Sequence, residues 1–372
     1  MPCVDHAYDK TMTRPYGLAA TLHDAVALAE VFGPGARIGI GSQADAADIF
    51  APAGPELTAQ EAADAARAGH ARYLFAFGNA ALAAPGTVAP LIEILADGAG
   101  TGFIAACLAA PWAGRTVFQG HLFENSALRG NMIEMFAGAL GGSVALVPHR
   151  VVTEGAAAIK RACTSIKEQG RMLALIDAID EADCAAIAGA LSGQPLIGGG
   201  AWAAGTATSP DPAAPTGPLA ILSGARDRET VRQVGAARLD VPVFDLDFAA
   251  ADPAQAALAW AAPLIGAPFI ISSSAPPDRM MPGAPAAQTL AQIAAGLAAA
   301  GITRLIVTGG ETAGAVLAAL AVKTLTAGAA FGPLRWLHAG PVAFCIKPAG
   351  IGGKNLFLPE LEPQIRLNEP AK

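Results

Sequence analysis

The chain has 372 residues, 53% of them hydrophobic and only 15% charged, a balance that suits two domains with buried cores and excludes a disordered chain. A net charge of −7 with no basic stripe argues against nucleic acid as a partner, so any anion site must rest on locally positive groups or backbone N–H groups. The five cysteines, Cys3, Cys107, Cys163, Cys184 and Cys345, are odd in number and form no C-x-x-C pair, which predicts neither a disulfide framework nor a zinc site. The first residues are mixed and polar, unlike a signal peptide, and no apolar run approaches the roughly 20 residues of a membrane span. The expectation is a cytoplasmic protein with no membrane partner.

In chain order, a helix is predicted over Leu22–Phe32 and a strand over Ala36–Gly41. An Ala-rich helix at Ala59–Ala68 precedes a strand at Arg72–Phe77, and a helix near Leu91–Ala96 precedes one at Gly102–Cys107. Strands follow at Val144–Val147, Met172–Ile176, Leu219–Leu222, Phe269–Ser272 and Arg304–Val307. They are short and continuously apolar, as parallel strands covered on both faces are. The repeated βα order predicts an α/β fold of two domains, each with a mainly parallel sheet flanked by helices, and a ligand cleft between them. The run 206–218 carries four prolines and almost no large apolar residue, which makes it the linker between domains 1–205 and 219–372. A second Pro-rich stretch, Ala275–Pro285, is predicted as a surface loop before a helix starting near Gln288.

Several loops have chemical content. In Ile306-Val-Thr-Gly-Gly-Glu-Thr-Ala-Gly314 a strand runs into glycines and then a helix. Gly309 and Gly310 permit a tight turn, Thr312 offers a cap and a hydroxyl, and the free N–H groups at the helix start form a phosphate site. The plainer alternative is an ordinary βα turn. Pro348-Ala-Gly-Ile-Gly-Gly-Lys-Asn355 holds three glycines and Lys354; it is not a P-loop, because Asn rather than Ser or Thr follows the lysine. Ser223–Thr230 is either a phosphate loop or a helix entry capped by Asp227 or Ser223. Gly198-Gly-Gly200 is a backbone approached by a ligand or a flexible turn. In Gly114-Arg-Thr-Val-Phe-Gln-Gly-His-Leu-Phe123, Arg115 and His121 are placed to meet a carboxylate or phosphate. No Ser-His-Asp arrangement or H-E-x-x-H motif is visible.

Taken together, these loops resemble the four-carbon acid sugar kinase family, which includes the 3-oxo-tetronate and threonate kinases. The likeness is carried by Thr308–Val316, by Gly114–Phe123, by Val147-Pro148 with Glu154–Ile159, by Leu222-Ser-Gly224 with Thr230 and Gln233, and by Trp336-Leu337. It implies an N-terminal acid-sugar domain, a C-terminal nucleotide domain, and ATP-dependent phosphoryl transfer to a hydroxyl of a small four-carbon-like sugar acid, with ATP and Mg²⁺ as cofactors. Carried over by position, ATP would lie on Ser223, Gly309, Gly310, Glu311, Thr312, Gly350, Gly352 and Gly353. Asp24, Arg115 and His121 are the polar groups left for catalysis on the acceptor side, with Asp24 orienting the hydroxyl. The apolar composition and the family together point to a homodimer.

Four motifs depart from the family. The run with paired aspartates after the first strand reads Leu18-Ala-Ala-Thr-Leu-His-Asp-Ala25, and the Asp-Ser-Thr run reads Phe77-Gly-Asn-Ala-Ala-Leu-Ala-Ala-Pro85. The family's G-G-S-G is Gly199-Gly-Ala-Trp202, and its S-G-N-F-G-G is Pro348-Ala-Gly-Ile-Gly-Gly353. The loop after Phe123 is also largely missing. Phosphoryl transfer needs a group to orient the acceptor hydroxyl. These losses therefore support an alternative, a catalytically impaired relative that binds a nucleotide or metabolite in a regulatory role. A different reaction on the same scaffold is a third.

Overall fold

The computed structural model describes residues 16–19, 21–41, 47–52, 54, 57–58, 60–61, 73–76, 92–97, 100–111, 114–124, 126–191, 194, 196–198, 212–274, 283–332, 334–348 and 351–357. The chain divides into two compact units. One comprises Met1–Ala20, Asp48–Phe50 and Leu57–Thr206; the other comprises Thr21–Ala47, Ala51–Glu56 and Ala207–Lys372.

In the first unit, β1 (Tyr16–Ala19), β3 (Ile49–Ala51), β4 (Tyr73–Ala76), β5 (Ile104–Ala106), β9 (Val144–Val147), β10 (Leu173–Ile176) and β11 (Leu196–Ile197) lie in the order β3-β1-β4-β11-β5-β10-β9. Every pairing among them is parallel. All four residues of β10 are fully buried, so both of its faces are covered, which explains the unbroken apolar run. The helix Ala156–Glu168 buries Ile159, Cys163 and Ile166, spaced by four and three residues as one helix face requires. Gly198 ends β11 at positive φ, where a Cβ would collide with the Cys107 carbonyl. Its lack of a side chain is a packing requirement.

The same unit carries an antiparallel sheet of β6 (Arg115–Phe118), β7 (His121–Glu124) and β8 (Ala127–Asn131), which the sequence does not announce. Gln119 and Gly120, both at positive φ (53° and 71°), make the β6–β7 turn, the hairpin geometry that matches strand twist. After β8, Asn131 caps α2 (Met132–Ala139) by accepting from Ile133 N and Glu134 N.

The second unit contains β2 (Arg37–Ile40), β12 (Leu219–Ser223), β13 (Val243–Asp245), β14 (Phe269–Ser272), β15 (Arg304–Thr308), β16 (Thr324–Phe331), β17 (Leu334–Ala339) and β18 (Val342–Lys347), in the order β13-β14-β12-β15-β18-β17-β16-β2. The first five are parallel. The rest are antiparallel, so the strand expected at Ala36–Gly41 joins the sheet through an antiparallel edge. β16 escapes sequence reading because its composition, Thr-Leu-Thr-Ala-Gly-Ala-Ala-Phe, is poor in strand formers and does not alternate. Helix α1 (Leu22–Phe32) is as expected and is capped by Thr21. The long helix Gly283–Ala299 starts five residues before Gln288 and takes Pro285 into its first turn, where the missing N–H costs nothing.

No helix among the described residues is long and apolar enough to cross a membrane. Cys107, Cys163, Cys184 and Cys345 are buried. The Cys107 thiol is pushed well above its usual range, first by its hydrogen bond with Cys184 and then by burial. Burial alone raises Cys163 to about 11. Neither is an activated nucleophile.

Candidate functional site

The connections of the second unit diverge at a switch point between β12 and β15. After β12 the chain runs through α6 (Arg228–Ala237) to β13 on one side. After β15 it runs through α9 (Gly310–Ala319) towards β18 on the other. Loops that diverge from neighbouring parallel strands open the place where α/β sheets bind ligands, outside the carboxyl ends. Register aligns the polar residues at this edge: Asp245, Ser272, Ser223, Thr308 and Lys347 are successive neighbours across β13, β14, β12, β15 and β18.

The Ser223 loop is closed on itself. Thr308 Oγ1 accepts from the N–H groups of Gly224 and Ala225, each at 3.1 Å. Ser223 is fully buried and its hydroxyl shares hydrogen bonds with Ser274 Oγ (2.8 Å) and Thr308 Oγ1 (3.3 Å). A Cβ on Gly224 would collide with the Thr312 hydroxyl, so this glycine lets the loop seat against the start of α9. The expectation that the glycine turn after Ser223 offers its amides to a ligand is therefore corrected: those N–H groups are spent on Thr308.

The start of α9 is different. Gly309 (φ 91°) is its N-cap, provides no side-chain cap, and donates its own N–H to Lys347 O at 3.0 Å. The next N–H groups, of Gly310, Glu311 and Thr312, have no acceptor among the described residues. Three unspent donors at the positive end of a ten-residue helix are the kind of group an anion accepts from. Glu311 is exposed and Thr312 buried.

The third element is the loop after β18. Gln233, fully buried on α6, donates from Nε2 to the carbonyls of Ile351, Gly352 and Gly353 at 3.0, 3.2 and 3.1 Å. One turn earlier Thr230 accepts from Lys347 Nζ at 2.8 Å and donates to Asp227 Oδ2 at 2.6 Å. Lys347 is fully buried and also donates to Pro348 O at 3.0 Å. Burial holds its ammonium below the ordinary lysine range, opposed by the charges of Asp227 and Glu229. This side chain braces the edge from below. The backbone donors of this edge fit a polyphosphate. Among the described residues no cluster of three His, Cys, Asp or Glu side chains stands ready for a metal ion.

In the first unit the polar centre is Asp177, at the carboxyl end of β10 and fully buried. It accepts from Gln119 N (2.8 Å), Gly120 N (2.9 Å) and His149 N (3.0 Å), tying the hairpin turn to the segment after β9. His149 Nε2 meets Asp183 Oδ2 at 3.0 Å, and Asp183 also accepts from Ile179 N. Arg115 pairs opposite Glu124 and His121 opposite Phe118. Side chains alternate along a strand, so Arg115 shares the face of buried Val117 and Leu122 while His121 lies on the other. The two do not come together. His121 Nδ1 lies 2.9 Å from Gln119 O. Asp24 belongs to the second unit. It is buried, and its carboxylate accepts from the Thr21 hydroxyl at 2.8 Å.

Comparison with known proteins agrees with this division. A nucleotide-binding C-terminal domain model matches residues 220–357, and a sugar-binding N-terminal domain model matches residues 82–207. A 3-oxo-tetronate kinase of Burkholderia multivorans is 30% identical over 319 residues, covering 73% of this chain and 74% of its own. One from Cupriavidus necator is 31% identical over 325 residues with the same shares. The chain belongs to the four-carbon acid sugar kinase family. Among solved structures, a Salmonella typhimurium LT2 protein provisionally named a tRNA synthase matches with a TM-score of 0.79 at 22% identity, covering 95% of this chain and 100% of that one. A Haemophilus influenzae protein of the DUF1537 family matches with a TM-score of 0.72 at 22% identity, covering 92% and 98%. Both share the fold.

Within this family member, Gly350, Gly199–Trp202 and Phe77–Pro85 lie outside the described residues. Sequence reasoning did not single out Lys347, Asp177, His149 or Asp183, and met Gln233 only as a mark of resemblance. A signal was present for two of them. Lys347 and Asp177 each follow an unbroken apolar strand, and a charge at the carboxyl end of a buried strand lies where α/β ligand sites form.

Proposed function

We propose that the chain catalyses ATP-dependent phosphoryl transfer to a hydroxyl of a small, four-carbon-like sugar acid, with Mg²⁺ on the phosphates. The supporting observation is the set of unspent N–H groups of Gly310, Glu311 and Thr312 at the switch-point edge. The relatives named 3-oxo-tetronate kinase indicate the acceptor class. In this reading Gly310, Glu311 and Thr312 hold phosphate at the start of α9, Gly352 and Gly353 form the opposing wall, and buried Ser223 supports the floor. Bound ATP supplies the transferable phosphoryl group, and Mg²⁺ neutralises charge on its oxygens.

On the acceptor side, Asp24 would exchange its bond with Thr21 for one with the acceptor hydroxyl. Arg115 or His121, which lie on opposite faces of their hairpin, would pair with the acid's carboxylate. The domain limits read from the sequence are residues 1–205 for the acid sugar, 206–218 for the linker and 219–372 for the nucleotide, with Thr21–Ala47 and Ala51–Glu56 grouping with the nucleotide unit instead; the reading includes a cytoplasmic homodimer.

A specific observation favours a second reading. β1 ends on Ala19, apolar and fully buried, near where the family carries paired aspartates. A chain lacking that acid would bind nucleotide without turning it over. The test measures thermal stabilisation by Mg-ATP together with ADP release across a panel of four-carbon acids, including 3-oxo-tetronate and threonate. ADP release with one of them, lowered by Asp24→Asn at least about a hundredfold as for loss of an acid–base group, supports the kinase. Stabilisation with no ADP release on any acid selects the second reading. No stabilisation defeats both.

A further inference from the structure

The grip of Gln233 on the loop after β18 has a geometric consequence. A trans peptide points the C=O of one residue and the N–H of the next in opposite directions, and no cis peptide occurs among the described residues. The carbonyls of Ile351, Gly352 and Gly353 converge on Gln233 Nε2. The N–H groups of Gly352, Gly353 and Lys354 therefore face away from it. None of the three has an acceptor among the described residues, and Gly353 and Lys354 are exposed. Successive N–H groups turned to one side of a loop make an anion-binding concavity. Gly352 serves the same shape: its φ is +80°, and a Cβ there would lie 2.8 Å from the Leu356 side chain.

The orientation of the Gln233 amide is fixed by its partners, because exchanging Nε2 and Oε1 would set an acceptor against three carbonyls. Its Oε1 is buried without a hydrogen bond. A buried acceptor left unpaired is a liability that an apolar side chain of the same size would avoid. The amide is therefore explained by its hold on the loop and not by packing. Thr230, one turn earlier on α6, holds Lys347 where the loop begins, so one helix face fixes the loop at both ends.

We infer that Gln233 is a positioning residue that presents the Gly352, Gly353 and Lys354 amides as the receptor for a phosphate group of the bound nucleotide, without touching the nucleotide itself. The inference rests on the nucleotide reading above. The test uses the full chain and its Gln233→Met variant, titrated by calorimetry with ATP, ADP and adenosine. Affinity for ATP and ADP is expected to fall about tenfold or more while adenosine binding stays within about twofold, since only the phosphate contacts are disturbed. An equal loss for adenosine marks a merely structural residue and overturns the inference, as does unchanged ADP affinity. A second measurement needs no variant. Amide exchange at Gly352, Gly353 and Lys354 in the wild-type chain should be fast without ligand and slowed by ADP. Fast exchange that persists when ADP is bound overturns the positioning role and leaves the nucleotide reading standing. A wild-type chain that binds no nucleotide overturns both.

Discussion

Replacing Asp177 with Asn tests how the first unit holds its polar centre. The carboxylate is fully buried and serves three backbone donors, with Oδ2 taking Gln119 N and His149 N and Oδ1 taking Gly120 N. An Asn of the same shape keeps its oxygen for one pair of donors and turns an NH₂ group towards the remaining N–H. One charge-assisted bond, about 1.5–3 kcal/mol, is lost, and a buried donor is left facing another donor. The net cost is about 2–4 kcal/mol. Asp177→Ala strands all three N–H groups and belongs in the rare class of losses above about 4–5 kcal/mol. For a unit of this size, each kcal/mol lowers Tm by about 2–4 °C, so Asp177→Asn should lower the first unit's transition by on the order of 10 °C. Differential scanning calorimetry of the full chain reads this directly, and the transition of the second unit should stay in place. A shift of the first transition below about 2 °C, the size of an ordinary surface substitution, would refute the reasoning.

Two further outcomes follow from the second unit. Gly224→Ala sets a methyl group against the Thr312 hydroxyl and within 3.0 Å of Leu290 Cδ1. It should destabilise this unit by about 1–3 kcal/mol in urea denaturation and weaken ADP binding by displacing the start of α9; a variant as stable as wild type would contradict the packing described. Lys347→Met addresses the buried ammonium. Because the folded-state value of Lys347 is lowered, the unfolded chain binds the extra proton between the folded and unfolded values, and stability rises with pH across that window. Wild type should therefore gain on the Met variant as pH rises towards the ordinary lysine value of about 10.4, by at most about 1.4 kcal/mol per pH unit. Parallel pH dependences would show that the charge is not penalised.

The parallel strands β4, β5, β9, β10, β12, β14 and β15 were legible because burial on both faces leaves an unbroken apolar run, as in Leu173–Ile176 and Leu305–Val307, whereas β1, β3, β13 and β18 were not singled out. The β6–β7–β8 sheet was not, because its strands are short and alternate, with Val117 buried and Phe118 at 43% exposure, and its turn uses Gln119 at positive φ where Asn or Gly would be the signal. On the nucleotide side, the glycine pattern located the α9 turn and the loop after β18. It could not say which amides are already taken. Gly224 and Gly309 look alike in sequence, yet the Gly224 amide is spent on a side chain of the adjacent strand, 84 residues away in sequence. Pairings of that range follow from sheet order, which local pattern does not contain. The same holds for Asp177, whose nearest N–H partner in sequence is 28 residues distant.

The account turns on where a nucleotide's phosphates rest. A crystal structure of the full chain with ADP measures this most directly. It should place phosphate oxygens within hydrogen-bond distance of the Gly310, Glu311 and Thr312 amides at the start of α9, facing the loop held by Gln233. ADP bound elsewhere, or phosphates resting on side chains while those three amides stay solvated, would contradict it.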